Sequence, residues 1–147
     1  GHEFGMPDFP QEQMQSVITL CQSIIARHAI APERVLAHSD VAPVRKVDPG
    51  EKFDWQMLAQ AGVGHWVEPS PISGGRYFCL GETGQPIEAL QAMLSLYGYE
   101  IDVSGKFDEA TKGVVEAFQR HFRQVKIDGV ADVSTIDTLH RLLKALS

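Results

Sequence analysis

Apolar residues recur at three- and four-residue steps in the first part of the chain. Between Gln11 and His28 they share one face and predict an amphipathic helix: Met14, Val17, Ile18, Cys21, Ile24 and Ile25. The apolar run 35–37 follows a proline and predicts a short buried strand. Asp54 is placed to cap a further helix that extends to Ala61 and is closed by Gly62. The first part of the chain therefore mixes helical and strand patterns.

Three helical patterns follow one another in the second part of the chain, over residues 86–97, 108–122 and 134–146. Asp108 is the expected N-cap of the second helix, and Ser134, with Asp137 three residues on, is the expected N-cap of the third. The turns 102–108 and 126–132 each contain Asp, Gly, an apolar residue and a final Asp, which indicates a faint internal repeat. These patterns predict a compact helical unit of about 65 residues.

Proline, glycine and serine are concentrated between the two parts. Residues 69–84, with a Gly-Gly pair at the centre, are therefore the predicted linker. The predicted fold class is α/β, with an incomplete α/β part over residues 1–68 and a small three-helix domain over residues 85–147. A chain of 147 residues is long enough for two such small units.

The charge balance removes one class of partner. The chain has 13 Lys and Arg against 19 Asp and Glu, a formal net charge of −6. A nucleic-acid binder needs a basic surface to neutralise phosphates, so no nucleic-acid partner is expected.

The densest cluster of candidate chemistry lies in residues 38–50, where His38, Lys46 and Asp48 occur in a proline-rich stretch. Imidazole and carboxylate are both good zinc ligands, and a lysine beside them can stabilise a developing oxyanion. A catalytic zinc takes three protein ligands and a water, however, and this stretch supplies two. From the residues alone, the alternative is an exposed loop with surface salt bridges, in which His38 is only a polar residue.

Residues 37–43 (AHSDVAP) and 45–50 (RKVDPG) resemble the C-terminal active-site segment of the type 2 zinc N-acetylmuramoyl-L-alanine amidases. These enzymes are related to bacteriophage T7 lysozyme and to the peptidoglycan recognition proteins. Residues 1–5 (GHEFG) resemble a loop that follows the central sheet of that family. The second part is similar to a peptidoglycan-binding domain, and the matching positions include Leu90-Gln91, Gly98-Tyr99, Phe118-Gln119 and Asp128-Gly129.

The resemblance implies roles for individual residues. His38 and Asp48 are the implied zinc ligands, and Lys46 occupies the position of a residue that polarises the scissile carbonyl. His2 is the implied wall of the substrate groove. The first zinc histidine and the general-base glutamate of the family lie upstream of the segment that matches Gly1. The resemblance therefore implies an N-terminal segment of the same protein that completes the site, and a 147-residue chain that is inactive alone.

The implied function is zinc-dependent hydrolysis of the amide between N-acetylmuramic acid and L-alanine in peptidoglycan. The first part would then be the C-terminal part of a mixed-sheet amidase domain, and the protein would act in the bacterial cell envelope, in the periplasm. A non-catalytic protein that recognises peptidoglycan is the alternative, because a groove can persist when metal ligands are lost. For Tyr97 and Tyr99, stacking on sugar or peptide and packing in the core both stay open.

Overall fold

The computed structural model describes residues 7–147. Helices connected by turns and extended segments make up this part of the chain. In chain order they are α1 (Gln11–His28), a 3₁₀ turn (Pro32–Arg34), α2 (His38–Val41), α3 (Trp55–Gln60), α4 (Gln85–Tyr97), α5 (Glu109–Phe122) and α6 (Val133–Ala145). None of the helices in residues 7–147 is both long enough and apolar enough to cross a membrane.

The two helices predicted before residue 68 are confirmed. α1 has the predicted bounds and buries Met14 and Ile18 on its apolar face. α3 begins after Asp54, whose carboxylate accepts a hydrogen bond from the Met57 N–H at 2.8 Å. Both predictions succeeded because helical periodicity and N-capping are encoded by residues close together in the chain.

The predicted α/β fold class is wrong for the described residues, because a mixed sheet does not occur there. Residues 35–37 run in an extended conformation from the 3₁₀ turn to α2 and do not form a strand. The only strand-like pairings within residues 7–147 are two isolated bridges, Phe78 with Ala131 and Thr83 with Lys106. A strand needs a neighbour for its backbone groups. Here the Ala37 N–H donates instead to the Asp40 carboxylate at 2.8 Å.

The second part contains the three predicted helices and the predicted repeat. In the first turn, Gln91 Oε1 accepts hydrogen bonds from the N–H groups of Ser104 and Gly105, both at 2.9 Å. In the second turn, Gln119 Oε1 accepts from the N–H groups of Asp128 and Gly129, both at 3.0 Å. Each buried glutamine therefore closes one Asp–Gly turn, which explains why the two turns share a sequence pattern.

One predicted cap is wrong. The N-cap of α6 is Asp132 and not Ser134, because the Asp132 carboxylate accepts from the Thr135 N–H at 2.8 Å. Asp108 caps α5 in the same way, through the Thr111 N–H at 2.9 Å, as predicted. The Ser134 hydroxyl instead donates to the carbonyl of Ser70, in the predicted linker, at 2.6 Å.

Two apolar clusters form the interior. The smaller cluster joins α1 and α3 and contains Met14, Ile18, Ala37, Phe53, Trp55, Leu58 and Val63. The larger lies between α4, α5 and α6 and includes Ile87, Leu94, Phe107, Val115, Phe118, Phe122, Leu139 and Leu142. Trp66 packs against both clusters. The two parts therefore touch through apolar side chains as well as through the chain that joins them.

The segment predicted as a linker lies along the helical part. Ser70 N–H donates to the Thr138 hydroxyl at 3.0 Å, and Phe78 exchanges two backbone hydrogen bonds with Ala131. Further on, Gly81 N–H donates to the Phe107 carbonyl at 2.9 Å. The division into residues 1–68, 69–84 and 85–147 stays a prediction, but residues 70–81 are in contact with the helices.

Candidate active site

A tight turn after α2 brings His38 and Asp48 together. The N–H groups of Arg45 and Lys46 both donate to the Ala42 carbonyl, at 3.0 and 2.9 Å, and reverse the direction of the chain. The Ser39 N–H then donates to the Asp48 carbonyl at 3.1 Å. As a result, residues ten positions apart in the sequence lie side by side. His38 is the first residue of α2 and does not lie in a loop.

The side chains of His38 and Asp48 form an exposed polar pair. Nδ1 of His38 lies 3.0 Å from Oδ2 of Asp48, and the two side chains are 52% and 62% exposed. Desolvation acts to raise the pKa of Asp48. The hydrogen bond with His38 and the charges of His38 and Lys46 outweigh it, so that the pKa lies below its ordinary value. The carboxylate is therefore ionised at neutral pH, which a metal ligand requires.

The donor set of this pair fits part of a zinc site. With bonds of about 2.1 Å, two ligand atoms of a tetrahedral zinc lie about 3.4 Å apart. The observed 3.0 Å between Nδ1 and Oδ2 is the length of a direct hydrogen bond, and the two atoms need to separate by only about 0.4 Å to bind one zinc ion. In residues 7–147, no third His, Cys, Asp or Glu joins them to make a group of three.

The other two predicted site residues are Lys46, which lies near the pair, and His2. Lys46 is exposed, and its charge contributes to lowering the pKa of Asp48. It therefore lies within electrostatic reach of the pair. His2, the predicted groove residue, falls outside the described residues.

A buried cluster around Asp40 was not predicted from the sequence. Tyr99 Oη donates to Oδ1 of Asp40 at 2.7 Å, and His121 Nδ1 lies 2.7 Å from Oδ2. The ring of His121 also stacks on Trp55, with 3.7 Å between centroids. Tyr99 and His121 belong to the second part, whereas Asp40 and Trp55 belong to the first. The cluster therefore joins the two parts at α2, the helix that begins with His38.

A second contact between the parts predicts a measurable pKa. His65 Nδ1 lies 2.7 Å from Tyr97 Oη. Burial lowers the pKa of His65 below 6.5; Glu33 opposes this and His121 adds to it. Burial also raises the pKa of Tyr97, followed in effect by the charges of Asp40 and Glu33. The hydroxyl therefore keeps its proton and donates to a neutral imidazole.

We expect His65 to titrate below pH 6.5 in a histidine NMR titration. Its unfolded state then binds a proton first as the pH falls. The contribution of the neutral His65 side chain to the free energy of unfolding is therefore present above pH 6.5 and is lost below it. His65→Gln should reduce the loss of unfolding free energy between pH 7.5 and 5.5, whereas His140→Gln, at an exposed position, should not. A His65 that titrates at or above 6.5 would contradict this expectation.

Each part of the chain matches a known protein family. Residues 2–51 match the N-acetylmuramoyl-L-alanine amidase family, and residues 83–139 match a peptidoglycan binding domain. The His38–Asp48 pair lies inside the first match, and α4 and α5 lie inside the second. The chain thus carries a segment of the amidase family followed by a peptidoglycan binding domain. It belongs to the type 2 N-acetylmuramoyl-L-alanine amidases.

Relatives of known structure share this arrangement. The chain is 38% identical over 139 residues to the N-acetylmuramoyl-L-alanine amidase AmiD of Escherichia coli, covering 92% of this chain and 49% of that protein. A structure of E. coli AmiD with anhydro-N-acetylmuramic acid-L-Ala-D-gamma-Glu-L-Lys superposes with a TM-score of 0.77 at 37% identity, over 94% of this chain and 53% of that one. Pseudomonas aeruginosa AmpDh3 with anhydromuramic pentapeptide gives a TM-score of 0.74 at 27% identity, over 96% and 55%. The chain spans about half the length of the curated relatives it matches.

Proposed function

We propose that this chain carries part of the active site of a zinc-dependent amidase that hydrolyses the bond between N-acetylmuramic acid and L-alanine in peptidoglycan. The observation that supports this most directly is the His38–Asp48 pair, 3.0 Å apart, within the segment that matches the amidase family. The peptidoglycan fragments bound to the two structural relatives support the substrate class. A bacterial cell-envelope location, in the periplasm, follows from the same proposal.

In this proposal, His38 and Asp48 hold the zinc, and the exposure of both side chains leaves the metal open to substrate. Zinc supplies an activated water at neutral pH and polarises the carbonyl of the amide. Lys46 places a positive charge beside the pair, where it stabilises negative charge that develops on the carbonyl oxygen. His2 is proposed as part of the groove wall.

Two further groups are proposed to come from an N-terminal segment of the same protein. A catalytic zinc has three protein ligands, and residues 7–147 bring together only two candidates. We therefore propose that this segment donates a histidine ligand and a glutamate that accepts the proton from water. This chain joined to that segment is the complete protein of the proposal.

The second part is proposed to hold the enzyme on its insoluble substrate. Binding through α4–α6 keeps the wall polymer near the site and raises its effective concentration. The charge of the chain, −6, gives no reason to include a nucleic acid among the partners.

The test is hydrolysis of purified peptidoglycan fragments by the complete protein, with mass spectrometry of the products. We expect release of a peptide that begins with L-alanine, loss of the activity on chelation and recovery with Zn²⁺. The 147-residue chain alone should release none. A complete protein that sediments with peptidoglycan but releases no peptide would support the non-catalytic alternative and contradict the proposal.

A further inference from the structure

The contacts between the two parts of the chain converge on the short helix that begins with His38. We propose that the peptidoglycan-binding domain positions His38 by holding the carboxylate of Asp40 beneath α2. Tyr99 and His121 are the two side chains of that domain that hold it. Asp40 is thus a positioning residue that does not touch substrate. The proposal rests on the proposed function for the role of His38.

The Asp40 carboxylate is buried and has three hydrogen-bonding partners. Its side chain is 4% exposed, as is that of His121. Besides the two partners in the second part, Oδ2 accepts from the Ala37 N–H at 2.8 Å. A buried carboxylate is costly unless it is hydrogen-bonded, so the position of Asp40 depends on these partners. Burial, followed by the charge of Asp40, raises the pKa of Tyr99 well above its usual value, so the hydroxyl is a donor.

The partners from the second part are themselves fixed. The His121 ring is stacked between Trp55 and Phe122, with centroid distances of 3.7 and 3.9 Å. Close by, Gln124 Nε2 donates to the Phe53 carbonyl at 2.8 Å. The two stacked rings fix the plane of the His121 ring, and the 2.7 Å contact with Oδ2 fixes which way Nδ1 points in that plane. Nδ1 of His121 therefore defines where the carboxylate lies.

The effect reaches His38 through the backbone of α2. A four-residue helix has too few internal hydrogen bonds to be stable alone, so tertiary contacts determine its orientation. The Asp40 carboxylate binds the N–H of Ala37, the residue immediately before His38. Just after α2, the chain lies close to α5, since a Cβ atom on Gly113 would be 3.0 Å from Cγ2 of Val44. Movement of Asp40 therefore moves the first turn of α2 and the imidazole on it.

Tyr99→Phe tests this link in the complete protein. It removes the donor to Asp40 and keeps the ring. The matched control is Tyr97→Phe, which makes the same change at an equally buried tyrosine whose hydroxyl also crosses between the parts, to His65 rather than to α2. We expect hydrogen exchange at the Ala37 amide of the zinc-free protein to rise about tenfold in Tyr99→Phe only.

Zinc affinity and the kinetic constants should also distinguish Tyr99→Phe from Tyr97→Phe. In Tyr99→Phe we expect zinc affinity and kcat to fall about tenfold, with KM within about twofold of the parent. Tyr97→Phe should match the parent in all three. Equal behaviour of the two variants would show that any lost contact between the parts has the same effect, and would overturn the proposal.

Asp40→Asn is the second variant, used whether or not Tyr99→Phe folds. The amide keeps the shape of the carboxylate, but its NH2 group cannot accept a hydrogen bond, so the three donors can no longer all be bound. The amide hydrogen of Ala37 should again exchange about tenfold faster. Unchanged exchange at Ala37 would overturn the proposal even if the protein is an amidase. If exchange rises as expected but no peptide is released from peptidoglycan, the positioning link stands and the proposed function fails.

Discussion

Replacing His38 with alanine in the complete protein should lower amidase kcat/KM by about a thousandfold or more. The substitution removes one ligand of the proposed zinc and leaves the Asp48 carboxylate, 3.0 Å away, without its partner. Zinc content, measured on the same preparation by elemental analysis, should fall below one equivalent. Asp48→Ala should have the same two effects, because a site with two remaining ligands holds zinc weakly.

The matched control for this prediction is His28→Ala. His28 is the last residue of α1 and is exposed, so the same change there should leave zinc content and kcat/KM as in the parent. Thermal unfolding of the metal-free variants separates loss of zinc from loss of fold. A His38→Ala protein that retains one equivalent of zinc and activity within tenfold of the parent would remove His38 from the site.

Sequence reasoning predicted the helices well because their signals are local. The stripe of α1 lies within one continuous segment, and Asp54 and Asp108 cap helices whose N–H groups are three residues away. The strand at 35–37 failed because three apolar residues do not distinguish a strand from an extended connection. Its outcome depended on Asp40, which takes the Ala37 N–H.

The candidate site was predictable only in part. The proximity of His38 and Asp48 followed from the family resemblance, and the turn at Ala42 supplies its physical cause. The Asp40 cluster carries no comparable local signal. Its partners Tyr99 and His121 are 59 and 81 residues away in sequence, so only the packed structure shows that they meet. Tyr97 and Tyr99 are both buried, with hydroxyls bonded to His65 and Asp40, which resolves the alternatives for both tyrosines in favour of packing between the parts.

The largest loss of stability is expected from Arg123→Ala. The Arg123 side chain is fully buried, and Nη1 donates to both carboxylate oxygens of Asp132 at 3.0 and 2.9 Å. Nη2 donates to the Lys126 carbonyl at 2.8 Å and so holds the second Asp–Gly turn. Removing one partner of a buried ion pair costs about 3–5 kcal/mol. We expect the lower end, about 3 kcal/mol, because part of the Asp132 side chain reaches solvent.

Chemical denaturation of the 147-residue chain or of the complete protein, followed by far-UV circular dichroism, measures this loss. Arg120→Ala, one turn earlier on α5 and partly exposed, is the matched control and should cost less than about 1 kcal/mol. Arg123→Lys should cause a loss between these two, because an ammonium keeps the charge but cannot replace both Nη1, which binds Asp132, and Nη2, which binds the Lys126 carbonyl. An Arg123→Ala loss no larger than that of Arg120→Ala would contradict the prediction.

The same pair gives the prediction a pH dependence. Burial alone would raise the pKa of Asp132, but the Thr135 N–H and Arg123 outweigh it, so the pKa lies below the ordinary 3.8. The unfolded carboxyl therefore takes up its proton first. The stabilisation is present above pH 3.8 and is lost as the pH falls through the lower pKa of the folded state. In Arg123→Ala that acid-dependent loss should shrink but not vanish, because the Thr135 N–H still binds the carboxylate. If Arg123→Ala loses as much unfolding free energy in acid as the parent, capping of α6, and not the ion pair, lowers the pKa of Asp132.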